Sequence, residues 1–202
     1  TPYSLPSFGA GLLSLLGMIL CILYLPESKR PGTMEKQKNT FEDILGPLRN
    51  YSIRGVVIVS LGGAIAFSGI TVMFIPFIAD VYGYGAVAAG MVLTYIGVIS
   101  AVSHGVIGPK LIEKYSPINV AIFSSVGLML SMVMLPFCSM IPNVNFIDQG
   151  LISLLGVLGL LAVSNACFHV ALSTLISFAA SEDAQGVSFG IFQSSGSLGR
   201  TM

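Results

Sequence analysis

The chain has 202 residues, of which 9% are charged and 54% hydrophobic, and its formal net charge is zero. A soluble domain carries roughly a quarter charged residues, so this composition, with a mean hydropathy of +0.88, excludes an ordinary water-soluble globule. The zero net charge offers no basic patch, so no nucleic-acid partner is expected.

In chain order, residues 8–25, "FGAGLLSLLGMILCILYL", form a first apolar run. The polar segment that follows, to residue 54, contains Pro26, Pro31, Gly32, Gly46 and Pro47, which rule out one continuous helix. Within it Thr40 precedes Asp43 at capping spacing, and Phe41, Ile44, Leu45 and Leu48 share a face, which predicts a short helix at the membrane surface.

Residues 55–79, 81–109, 115–147 and 149–181 then contain no Asp, Glu, Lys or Arg. Each stretch exceeds the roughly 20 residues that a helix needs to cross about 30 Å of hydrocarbon. Spans are predicted over 55–79, 87–107, 118–141 and 150–178, with a sixth helix starting at 187. The runs do not alternate as the strands of a membrane β-barrel would. The expected fold is therefore all-α, a polytopic helical membrane bundle.

Basic residues set the orientation. Lys29, Arg30, Lys36, Lys38, Arg49 and Arg54 lie before the first of these spans, and Lys110 and Lys114 in the 108–117 link. The 80–86 and 142–149 links have only Asp80 and Asp148 as charges. Segments 26–54, 108–117 and 179–186 are thus expected in the cytoplasm.

Catalytic constellations are missing from the sequence: it has no HExxH, GxSxG or P-loop, and no paired carboxylates within a span. No enzyme activity, cofactor or metal is expected. Cys21, Cys138 and Cys167 lie in apolar runs and read as small buried hydrophobes. Glu182 and Asp183 read as solvated caps at a helix entry.

Polar side chains inside the spans are more informative, because lipid tolerates them only where they face a cavity or another helix. Asn165, His169 and Ser173 recur every four residues, and Ser177 extends the stripe. This face either lines a cavity or bonds to a neighbouring helix. Gln193, Ser197 and Arg200 share a face of the last helix. Arg200 would lie about 20 Å along that helix, where it must meet a substrate, a structural carboxylate or water. Tyr95 is an aromatic cavity candidate, and His104 reads as a residue of the membrane edge. Ser60, Ser68 and Thr71 give their span a mild polar side. The glycines within spans suit close helix packing, and Gly186 and Gly190 have small-xxx-small spacing.

Three stretches carry a resemblance. "YLPESKRP" at 24–31 is similar to the exit from helix six in drug-efflux and tetracycline-efflux-like transporters of the major facilitator superfamily. "GVIGPKLIEKYSP" at 105–117 resembles that family's glycine-acidic-basic loop between helices eight and nine, through Gly105, Gly108, Glu113 and Lys114. Pro109 and Tyr115-Ser116-Pro117 depart from the pattern. "SEDAQGVSFGIFQSSGSLGR" at 181–200 resembles the junction of helices ten and eleven in polyspecific antiporters.

The resemblance implies that residues 1–25 end an N-terminal half, 26–54 form the central loop, and 55–202 begin a truncated C-terminal half. Thr1 at the start and "SLGRTM" at the end, inside an apolar pattern, lead to the same expectation of a longer parent chain. The implied function is secondary transport of a small organic molecule by alternating access, with polyspecific, proton-coupled efflux as the subclass. Implied partners are the substrate, protons, membrane lipid and the remaining transmembrane half. The substrate-cavity candidates are Asn165, His169, Ser173, Tyr95, Gln193 and Arg200; the conformational-loop candidates are Gly105, Gly108, Glu113 and Lys114. The alternative is a non-transporting polytopic membrane anchor or interaction protein.

Overall fold

The computed structural model describes residues 4–24, 45–140, 149–181 and 184–201. The chain divides into two units, Thr1–Asn39 and Thr40–Met202. In the first, helix α1 (Ser4–Tyr24) contains the apolar run Phe8–Tyr24.

The second unit opens on a 3-10 turn, Gly46–Arg49, whose start accommodates Pro47. Helix α2 (Tyr51–Tyr82) follows, then α3 (Ala86–Val102), a π-helical turn (Ser103–Ile107) and α4 (Gly108–Lys114). Helix α5 (Pro117–Met134) continues into a 3-10 turn, Leu135–Met140; α6 (Gln149–Ala179) and α7 (Gln185–Thr201) complete the unit. Among the described residues four helical segments are long and apolar enough to cross a membrane: Tyr51–Tyr82, Ala86–Lys114, Pro117–Met140 and Gly150–Ala179.

These bounds extend the predicted spans, and the caps explain why. The Asn50 side chain accepts from Ser52 N–H at 3.0 Å, so α2 starts before Arg54. At the other end Gly83, with φ 65°, adopts the left-handed conformation that glycine tolerates and bonds back to Ala79 O at 3.1 Å. A charge-free run marks the part of a helix inside hydrocarbon. The helix itself continues into the interface, where long basic side chains reach water.

The largest correction concerns residues 108–117. They do not form a loop: α3, the π turn and α4 make one continuous span, and only residues 115–116 separate it from α5. Gly105, Gly108, Glu113 and Lys114 are helical residues, not loop residues. Pro109 has no N–H and its ring would strike the carbonyl of Gly105 in an α-helix. The wider π turn opens that crowded level, with Gly108 N–H bonded to Ser103 O. Lys114 lies over the Tyr115 ring, 5.5 Å from its centroid. The surface helix expected from Thr40 falls outside the described residues except for its last turn. Glu182, Asp183 and Asp148 also lie outside them.

Helix α6 is the hub of this unit and contacts α2, α3, α4, α5 and α7. Leu154, Leu158, Ala171 and Ile176 along it are fully buried. Small residues let the neighbours approach. A Cβ on Gly127 of α5 would collide with Ser164 of α6, and one on Gly63 of α2 would lie 2.8 Å from the Phe168 ring. Gly199 of α7 sits against α2 in the same way, since a Cβ there would come within 2.7 Å of the Ala64 Cβ. Among the described residues no neighbour lies within 4 Å of a Cβ built at Gly186 or Gly190, so the pair makes no tight contact with them. Facing outward are large apolar side chains such as Val72 and Phe123, 71% and 72% exposed. An apolar surface of this kind requires lipid rather than water around it.

Candidate polar cavity

Helices α6 and α7 and the π turn border an open cavity of about 620 Å³. Helix α6 contributes His169, Ser173, Ser177 and the adjoining row of Val170, Thr174 and Phe178; α7 contributes Phe192, Gln193 and Arg200; the π turn contributes His104.

The depth of Arg200 follows from two independent features. At 1.5 Å per residue it lies about 22 Å along α7 from Gln185. Its backbone carbonyl also accepts from Ser68 Oγ at 3.2 Å, and Ser68 sits at the middle of the 32-residue α2. The Gly199–Ala64 crossing, one residue away, holds the two helices at this level. The guanidinium donates to Ser197 Oγ at 3.3 Å, one of several N–H groups it carries. Asp80 and Glu113, the acidic residues among those described, lie near span ends and outside the lining.

The other lining groups divide by what they have left to offer. Ser173 and Thr174 hydroxyls donate to the carbonyls of His169 and Val170 at 2.8 and 2.9 Å, so their lone pairs remain as acceptors. Ser177 Oγ accepts from Gln185 Nε2 at 3.1 Å, which ties the start of α7 to the end of α6. His104 Nδ1 lies 2.9 Å from Ser100 O. A carbonyl only accepts, so this contact is a bond when Nδ1 carries the proton; Ser100 Oγ lies 3.4 Å from the same nitrogen. The His169 ring, edge-on to Phe168 with centroids 6.0 Å apart, and the Gln193 amide have no hydrogen-bond partner among the described residues.

The structure therefore brings together His169, Ser173, Gln193 and Arg200 of the expected cavity residues, with Ser177 beside them. Asn165 is half-buried and lies outside the lining. Tyr95 lies outside this lining: its hydroxyl donates to Leu155 O at 3.1 Å beside Gly159, so it ties α3 to α6. The reading of His104 as an edge residue missed its place in the wall, because the π turn that aims it had no local signature beyond Pro109. Thr174 could have been found. It occupies the row next to His169 and Ser173, and a cavity-facing helix surface is wider than one row.

A family model described as Major Facilitator Superfamily matches residues 3–202. The chain belongs to the Major Facilitator Superfamily. No curated protein and no solved structure gives a significant match. Members of this superfamily are transporters, and the integral, multi-pass helical bundle described above agrees with the superfamily's fold.

Proposed function

We propose that this chain is part of a secondary transporter that moves a small organic molecule by alternating access, with the cavity between α6, α7 and the π turn as its share of the substrate site. The observation that carries this reading is Arg200 at mid-span, open to a cavity walled by His104, His169 and Gln193. A guanidinium at that depth is costly unless it meets water or a ligand.

In this proposal α2, the Ala86–Lys114 span, α5 and α6 correspond to helices seven to ten and α7 to the start of eleven. Residues 1–25 belong to helix six and 26–54 to the central loop. The ends carrying Arg49, Arg54, Lys110 and Lys114 face the cytoplasm, in keeping with the excess of basic residues there. Drug-efflux activity is supported by the "YLPESKRP" and 181–200 resemblances. His169, which lines this cavity, is the residue proposed for proton coupling.

The test is reconstitution of the complete protein in liposomes with a substrate panel under an imposed proton gradient. Substrate-dependent flux is expected, and His169→Ala should slow it while leaving the amount of folded protein unchanged. Absence of flux and of proton movement across the panel would leave the anchor reading in its place.

A further inference from the structure

We infer that the ligand of this cavity is an amphipathic organic anion. The inference rests on the cavity being the substrate site and names the class of substrate.

Charge balance comes first. Among the described residues the lining contains a permanently charged guanidinium and two imidazoles, and no carboxylate. The described acids, Asp80 and Glu113, are not in the wall. A cation at this depth must meet water or an anion, and Arg200 is exposed to this cavity. A carboxylate or sulfonate on the ligand completes the pair, and its oxygens fit the planar fork of Arg200.

The donors agree with this. Arg200 uses one contact on Ser197, and Gln193 and the His169 ring have no partner among the described residues. These three groups line the same space and are donors available to an anionic ligand. The rest of the wall fits an apolar body: Val170, Phe178 and Phe192 line the same space. A cavity of about 620 Å³ falls within the roughly 300–1,000 Å³ of drug-sized ligand sites. A hydrophobic cation would instead face Arg200 with like charge.

The experiment uses fluorescein and rhodamine 123, xanthene dyes of similar size and opposite charge, with the complete protein purified and reconstituted. Equilibrium binding is read by fluorescence anisotropy, and uptake by proteoliposomes is read separately. Fluorescein should bind at least about tenfold more tightly than rhodamine 123, and Arg200→Gln should remove at least about tenfold of that affinity. Arg200→Lys should retain part of it, which a purely structural role would not require.

Equal or tighter binding of rhodamine 123, failure of both dyes to bind, or unchanged fluorescein affinity in Arg200→Gln would each overturn the inference. The last result would mean that a carboxylate elsewhere neutralises Arg200. Fluorescein binding without uptake would count against transport while supporting the anion site. Uptake of rhodamine 123 with no preference for fluorescein would do the reverse.

Discussion

Ser68 Oγ donates to the backbone carbonyl of Arg200 at 3.2 Å, joining the middle of α2 to the level of α7 that carries the cavity's guanidinium. The bond is made by backbone on the Arg200 side, so the side chain stays free to face the cavity. One residue earlier, Gly199 packs on Ala64, and Leu61 O lies 2.9 Å from where its Cβ would be. This crossing positions the charge, and it is the most direct place to test the architecture.

We expect Gly199→Ala to destabilise the protein by about 1–3 kcal/mol, because its new methyl meets both Ala64 and the α2 backbone. Ala64→Gly in the same chain should recover part of the loss, with a coupling of at least about 0.5 kcal/mol. Thermal unfolding of the two single variants and the double variant measures this. Strictly additive effects would mean that the two residues do not touch.

Asn50 has two separate duties, and two substitutions divide them. Its carbonyl oxygen caps α2 through Ser52 N–H, while its Nδ2 donates to Ala179 O at the end of α6, 3.2 Å away. Asn50→Ala removes both and should cost about 1 kcal/mol. Asn50→Asp keeps the cap and loses the donor. Hydrogen exchange should therefore stay slow at Ser52 in the Asp variant but not in the Ala variant, and quicken at Ala180 in both. Unchanged exchange at Ala180 would remove the proposed tie.

The π turn makes a third prediction. Pro109→Ala restores an N–H and relieves the ring's clash with the carbonyl of Gly105, so the turn should tighten towards α geometry. The expected gain in stability is about 1 kcal/mol, less than the full cost of an interior proline because the wide turn already accommodates it. His104 should rotate along the wall, weakening fluorescein binding several-fold. A variant with unaltered affinity and melting temperature would show that Pro109 does not set this turn.

Much of the bundle could be read from the absence of charge. The runs after Arg54 and Asp80 marked the spans and their order, and of the stripe Asn165, His169, Ser173 and Ser177 the last three line the cavity between α6 and α7. Periodicity sufficed there because those residues share one helix. What it could not give depended on partners distant in sequence. The partner of the Tyr95 hydroxyl, Leu155 O, is 60 residues away in sequence. His104 joins the wall only because the π turn adds a residue to the helical phase. The charged 108–117 stretch looked like a loop because charge marks the membrane boundary, and here the boundary falls within a helix.

The central claim is that the space between α6 and α7 is an aqueous binding cavity inside a lipid-embedded bundle. Its most direct test is thiol labelling in a background where Cys21, Cys138 and Cys167 are replaced. Ser173→Cys, on the cavity wall, and Phe123→Cys, on the outward face of α5, are exposed to a membrane-impermeant maleimide. The account predicts rapid modification at position 173, slowed by bound fluorescein, and little modification at 123. Equal labelling at both positions, or none at 173, would contradict it.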